Sequence, residues 1–309
     1  LLRAAEGWQI PASAWFFLFT QGFSAHRATH NMTTVLECID AGTRYLEKRG
    51  VEDARRNMQI LVAHRLQCTR MQLYLRFDEP LDESTLAPLR EDLKKRGERI
   101  PLQHILGIVS FHQHDFKTDA RALIPRPETE ELVELLIKKF SPAPQRVLDL
   151  ACGSGVIGLS LAAQWPDAEV TLADVSADAL ALAQENAAML GLDRVSLIES
   201  DLFSKLCGPY DLIVTNLPYV PERDRSTLTP EVLHDPALAL FSGEDGLDLI
   251  RRFATEVGAF LAPGGMIAME IGHDQGDETA ALLSQHGLTE VIVEKDISGI
   301  ARFPLAKSL

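Results

Sequence analysis

Cysteine is scarce: the 309-residue chain has four, at Cys38, Cys68, Cys152 and Cys207. They are widely spaced, with no Cys-Xaa-Xaa-Cys pair and no His/Cys cluster. That excludes a disulfide framework and a zinc site, and it fits a reducing cytoplasm. Long apolar runs are missing too. Nothing approaches the roughly 20 residues that span a bilayer, so no membrane association is expected. The stretch Ser13–Phe23 ("SAWFFLFTQGF") is strongly apolar but short. It lacks the basic lead and small-residue cleavage site of a signal peptide. Met32 is the more natural start, and residues 1–31 read as a non-native or disordered extension. No internal repeat or low-complexity tract is present.

Positive charge is the third shortage. The formal net charge is −14, and residues 101–309, with 15 Lys and Arg against 31 Asp and Glu, carry −16 by themselves. A surface of that sign repels phosphate backbones, so direct nucleic-acid binding is not expected.

Two kinds of pattern succeed each other along the chain. Residues 33–98 have helical periodicity. Val35, Leu36, Ile39 and Leu46 share one face, Gly50 marks a stop, and Met58, Met71 and the leucines are expected in the core of a small helical bundle. From Ile100, "PLQHILGIVSFHQHDFKT" reads as a hairpin linker. Its His104, His112 and His114 are expected to be exposed and not to bind metal, because no carboxylate or cysteine completes a set. "IPRPETEELVELLIKKF" then opens a helix, with Pro127 at its start and Glu128, Glu130 and Glu131 at the positive end of its dipole. Beyond residue 145 strands and helices alternate, closing with two strands in "TEVIVEKDISGIARFPLAK". The fold class is α/β: a mostly parallel, Rossmann-like sheet with helices on both faces.

The chemistry is concentrated at the strand ends. "VLDLACGSGVIGLSLA" is a strand, a glycine-bearing turn and a helix, with Asp149 near the strand end. Gly153 and Gly155 let the backbone pass close to a ligand. Aligned on Gly153, the segment also satisfies a dinucleotide-type Gly-Xaa-Gly-Xaa-Xaa-Gly, so this motif alone leaves a nicotinamide cofactor open. The order of the later strand ends favours S-adenosyl-L-methionine: Asp174 ends the next strand, Asp201 comes after the third, and Asn216 ends the fourth. Ala151, Cys152, Gly153, Ser154 and Gly155 are expected to wrap the methionine portion, with Asp149 turned to it directly or through water. Asp174 is placed to take both ribose hydroxyls. Asp201 and Leu202 are expected to bracket the adenine, by carboxylate and aliphatic chain respectively. No metal is expected.

The tetrapeptide "NLPY", Asn216 to Tyr219, suits a site that holds a planar –NH2 group, whether of an adenine or of a side-chain amide. The Asn216 side-chain oxygen and the Leu217 carbonyl supply two acceptors. Pro218 restricts Leu217 to an extended conformation, and Tyr219 offers a flat face for stacking. Asn216, Pro218 and Tyr219 are the candidate catalytic residues. Leu217 joins them in binding substrate, and Asn216 also borders the cofactor. A neutral amide nitrogen is a poor nucleophile, and no His or Lys is an obvious base. Such a site would therefore act mainly by proximity and orientation.

From about Met32 to its end, the chain resembles the protein-(glutamine-N5) methyltransferases that modify peptide chain release factors. The resemblance rests on "PLQHILG" (101–107), "LIPRPETEELVE" (123–134), "DLACGSGVIGLSLA" (149–162), "YDLIVTNLPYV" (210–220), "DPALALFSGEDGLDLIRR" (235–252) and "LAPGGMIAMEIGHDQG" (261–276). It implies an enzyme that methylates the glutamine of a release factor's Gly-Gly-Gln loop; a cytoplasmic monomer is expected. The implied domains are a helical substrate-recognition domain (32–99), a hairpin linker (100–125) and a methyltransferase domain (126–309). Two positions depart from the family pattern: Leu217 stands where a proline is usual, and Asp235 stands where a glutamate precedes Pro236. A sister group modifies a ribosomal protein, but "IPRPETE" looks like the release-factor branch. The spelling NLPY is also that of rRNA adenine dimethyltransferases, which resemble this chain only in the cofactor core. A non-catalytic cofactor-binding scaffold is the reading from another class, and the retained Asp174 and Asn216 oppose it.

Overall fold

The computed structural model describes residues 33–309, so the expectation for residues 1–31 lies outside it. The chain divides into two compact units that meet between Arg99 and Ile100.

In the first unit, the described residues form α1 (Val35–Glu47), α2 (Ala54–Arg65), the single turn α3 (Arg70–Leu73) and α4 (Glu83–Gly97). A capping box starts α1: the Thr34 hydroxyl accepts from the Glu37 N–H, and the Glu37 carboxylate accepts from the Thr34 N–H. Gly42 lets α1 and α2 approach closely, because a Cβ there would fall 2.3 Å from the Met58 sulfur. A two-pronged ion pair from Arg65 to Asp92 ties α2 to α4. Met58 is fully buried, as expected, but Met71 is 77% exposed. In the one-turn α3 it is Leu73 that points inward, and Met71, two residues earlier, faces the other way.

The second unit opens with α5 (Leu102–Leu106) and a hairpin of β1 (Ile108–Phe111) and β2 (His114–Lys117). Its two-residue turn places His112 at φ 43° and Gln113 at φ 67°, the left-handed pair that hairpin twist favours. The histidines are not exposed as expected. His112 and His114 are half-buried, and only 8% of the His104 side chain is accessible, its Nε2 lying 3.7 Å from the buried Asp235. Next comes α6 (Pro127–Lys139), with Pro127 in its first turn.

The alternating elements are β3 (Arg146–Leu150), α7 (Val156–Gln164), β4 (Glu169–Asp174), α8 (Ala177–Met189), β5 (Ser196–Glu199) and β6 (Tyr210–Thr215). After short 3-10 turns come α9 (Asp248–Glu256), β7 (Leu261–Met269), α10 (Gly276–Gln285), β8 (Thr289–Lys295) and β9 (Ala301–Lys307). The seven strands run in the order β5-β4-β3-β6-β7-β9-β8, parallel except where β9 pairs antiparallel with β7 and β8. Strand alternation divides the core between the two faces. Val147, Leu212 and Val214 pack under α6, α7 and α8, while Leu148, Leu150, Ile213 and Ile267 pack under α9 and α10. Successive crossovers run outward from β3 in one direction and from β6 in the other. That reversal opens a crevice beyond the carboxyl ends of β3 and β6, where open α/β sheets bind ligands. Among the described residues, no helix is long and apolar enough to cross a membrane.

Candidate active site

A cavity of about 350 Å³ occupies this crevice, within the range of small-molecule sites. Ten of the residues singled out in the sequence line it: Ala151, Cys152, Gly153, Ser154, Asp174, Asp201, Leu202, Asn216, Leu217 and Pro218. Asp149, Gly155 and Tyr219 do not.

The turn after β3 forms one wall. Ala151 and Gly153 both take left-handed conformations, φ 57° and 55°, which costs the alanine about 1–2 kcal/mol. A Cβ on Gly153 would meet only Ala122, at 3.8 Å, and would otherwise occupy space at the cavity wall. Gly155 is needed for a different reason than expected. At φ 81° its Cα faces Leu159, Ala183 and Leu172, each 3.1–3.3 Å from where a Cβ would stand, so it serves packing behind the wall.

Asp149 also departs from expectation. Alternation along β3 turns it away from the cavity toward α7, where its Oδ2 accepts the Gly158 N–H at 2.7 Å. Its side chain is fully buried, Oδ1 has no partner, and burial lifts the carboxyl to about 7. It braces the turn from beneath, and its side chain is not part of the cavity lining.

Asp174, at the end of β4, is held for binding. Its Oδ2 accepts the Gly153 N–H and its Oδ1 the Ser176 N–H, both at 2.8 Å. Each oxygen keeps a lone pair for an outside donor, the arrangement a vicinal diol needs. Burial raises this carboxyl too. Beyond β5, Leu202 is buried at φ 46° and supplies an apolar surface. Asp201 is exposed and pairs with Arg252, whose Nη2 lies 3.0 Å from both carboxylate oxygens, a partner the sequence did not suggest.

At the end of β6, Asn216 Nδ2 donates to Thr129 Oγ1 at 3.3 Å, and Thr129 in turn donates to Glu270 Oε2 at 2.6 Å. Leu217 is buried, and its side chain anchors the segment in the core on the α9 side. Tyr219 is not among the residues that line the cavity. Its hydroxyl donates to Glu270 Oε1 at 3.3 Å, its carbonyl accepts from Gln275 Nε2 at 3.0 Å, and burial raises its phenol well above the usual range. The roof includes Pro236, Leu238 and Ala239. Asp235, just before them, is tied to Arg126 at 2.8 Å and pushed up to about 6 by burial.

Thr129, Glu270, Arg126 and Asp235 are site residues that sequence reading missed. Glu270 left a signal, as a lone acid in the apolar run "MIAMEIG". Thr129 sat unassigned within "RPETE". Among the described residues, no group of three or more His, Cys, Asp or Glu could hold a metal ion.

The diol-ready Asp174, the bare backbone at Gly153 and the switch-point cavity fit an adenosyl cofactor. The Methyltransferase small domain model matches residues 128–245. Fold, cavity and family model together define an S-adenosylmethionine-dependent methyltransferase. The PrmC N-terminal domain model matches residues 37–107. The release factor glutamine methyltransferase of Deinococcus radiodurans is 40% identical over 272 residues, 88% of this chain and 97% of that protein. That of Geobacter sulfurreducens is 39% identical over 271 residues, 87% and 95%. The chain belongs to the release factor glutamine methyltransferase family. It is also similar to the solved protein-(glutamine-N5) methyltransferase (release factor-specific) of Alicyclobacillus acidocaldarius, at 31% identity over 62% of this chain and 99% of that one, with a TM-score of 0.38.

Proposed function

We propose that this enzyme transfers a methyl group from S-adenosyl-L-methionine to the side-chain amide nitrogen, N5, of the glutamine in the Gly-Gly-Gln loop of peptide chain release factors. The observation that carries the reading is Asn216: its carboxamide lies on the cavity wall with its nitrogen already engaged by Thr129, leaving its oxygen to accept. When bound, the cofactor supplies an electrophilic methyl group on a sulfonium sulfur.

The chain's residues do the rest. Asp174 takes the ribose hydroxyls, and Leu202 lies against the base. The turn from Ala151 to Ser154 lets the backbone approach the methionine portion. Asn216 Oδ1 and the Leu217 carbonyl accept the two N–H bonds of the incoming amide and so fix the direction of its nitrogen. Orientation of this kind is worth several kcal/mol of barrier; the methyl would leave the sulfonium as a neutral thioether, and one N–H proton of the methylated amide would be released past its acceptor to solvent. Leu217 keeps the acceptor carbonyl that a proline would offer, with a less restricted φ.

On the same reading, the helical unit before Ile100 is the substrate-recognition part, and the enzyme is a cytoplasmic monomer. The spelling NLPY supports a second reading, adenine methylation in RNA, but the −16 charge of residues 101–309 works against it.

The test is mass spectrometry of a release factor, and separately of RNA, after incubation with the full chain and S-adenosylmethionine. One added methyl on the Gly-Gly-Gln glutamine is expected. Asn216→Ala should abolish it while cofactor affinity is largely kept. Methylated RNA beside an unmodified release factor would overturn the proposal.

A further inference from the structure

The Asn216 carboxamide can bind an amide –NH2 through its oxygen or, turned over, present its own –NH2 and repel one. What decides its orientation lies outside the NLPY tetrapeptide. Thr129 is 4% exposed, in the first turn of α6, and Glu270 is 1% exposed, directly after β7. The Glu270 backbone N–H bonds to the Thr215 carbonyl at 3.0 Å, which sets this acid beside the residue that precedes Asn216. Each Glu270 oxygen receives a hydroxyl: Oε2 from Thr129 at 2.6 Å and Oε1 from Tyr219 at 3.3 Å. Burial raises the Glu270 carboxyl, while the Thr129 and Tyr219 hydrogen bonds and the Arg302 charge lower it; in its ionised form it can only accept, one hydroxyl on each oxygen.

A threonine hydroxyl has one proton and two lone pairs. With its proton committed to Glu270, Thr129 can offer Asn216 only lone pairs. The nitrogen end of the carboxamide must therefore face Thr129, as it does at 3.3 Å. A flipped amide would set oxygen against oxygen and lose the bond. From this network we infer that Thr129, with its proton held by Glu270, is the positioning residue that locks the Asn216 carboxamide with its oxygen free as an acceptor, and that this lock selects an amide –NH2 over a carboxylate. A glutamate in place of the target glutamine would bring acceptor against acceptor. Glu270 reaches the other end of the tetrapeptide through Tyr219, so one buried acid spans the whole NLPY segment.

The inference rests on the proposed glutamine chemistry, and its test separates the two. Thr129→Val keeps the shape and removes the hydroxyl; Thr129→Ser restores a hydroxyl. With the full chain, a release factor and S-adenosylmethionine, Thr129→Val should lower kcat/KM roughly 10- to 100-fold, the loss of one committed buried hydrogen bond. Cofactor Kd should stay within about twofold, which also reports that the fold survives, and Thr129→Ser should recover most of the activity. The side-chain amide signals of Asn216 in a nitrogen-15 NMR spectrum, identified by their absence in Asn216→Ala, should show slow hydrogen exchange in wild type and Thr129→Ser and fast exchange in Thr129→Val. Wild-type turnover by Thr129→Val, Ser losing as much as Val, or unchanged amide exchange in Val would each overturn the lock. If the wild-type enzyme methylates no release factor, the functional reading fails, while the exchange measurement still decides the lock.

Discussion

Gly158 lies inside α7, where no left-handed conformation requires a glycine, yet the structure gives an added methyl no room. A Cβ there would fall 2.2 Å from Leu172 Cδ2, 2.9 Å from Asp149 Cβ and 3.0 Å from Asp149 Oδ2. Ordinary carbon contacts need about 3.5–4.0 Å. Leu172 and Asp149 are fully buried, so Gly158→Ala must push α7 off the sheet or force Leu172 from its rotamer, at a cost of about 1–3 kcal/mol. The same push stretches the Gly158 N–H bond to Asp149, the one hydrogen bond of that carboxylate, adding about 1–3 kcal/mol. Alanine's better helix propensity returns about 1 kcal/mol. A net loss of about 1–5 kcal/mol is expected, which lowers the melting temperature by roughly 2–20 °C for a unit of this size. Thermal melts of the full chain by circular dichroism measure it. Gly258→Ala is the companion, because a Cβ there meets nothing within 4 Å and φ is not left-handed; it should be nearly neutral. Equal melting temperatures for Gly158→Ala and wild type would refute the packing argument.

Two further outcomes concern charge. Asp174→Asn should weaken S-adenosylmethionine binding roughly 10- to 100-fold, because a charge-assisted acceptor is lost and an –NH2 group is set against the Gly153 or Ser176 N–H; an unchanged Kd by calorimetry would remove Asp174 from the ribose site. Burial raises Asp149 from an ordinary 3.8 to about 7 in the folded protein. The folded state therefore keeps a proton that the unfolded chain releases. That contribution to stability is complete below about pH 4 and is lost as pH rises to about 7. Asp149→Asn, which never ionises, should accordingly gain on wild type between about pH 5 and about pH 8, by on the order of 1.4 kcal/mol for each pH unit of the window. Denaturant melts at the two pH values check it, and an identical stability difference at both contradicts the raised carboxyl.

Much of the site was legible because its signals are local. Asp174 and Asn216 each end an apolar strand, and a strand end at the switch of an α/β sheet faces a ligand whatever else the chain does. The residues that the structure places differently turn on which way a side chain points. Asp149 lies one residue before the strand's last position, and the period-two alternation sends it under α7. Gly155 starts that helix and spends its missing Cβ on packing. Tyr219 turns its hydroxyl to Glu270. Met71 and His104 failed in the same way, one outward and one inward.

Periodicity, strand-end acids and the NLPY segment, all properties of a few neighbouring residues, determined from sequence alone a Rossmann-like methyltransferase preceded by helices. The tertiary structure decided what needs partners distant along the chain. Thr129 lies 87 residues from Asn216 and 141 from Glu270, and Asp235 reaches Arg126 across 109. No local pattern encodes such pairings, because the sheet's crossovers create them. Asn216 as a residue type was written in the sequence, and the direction of its amide was set by the fold.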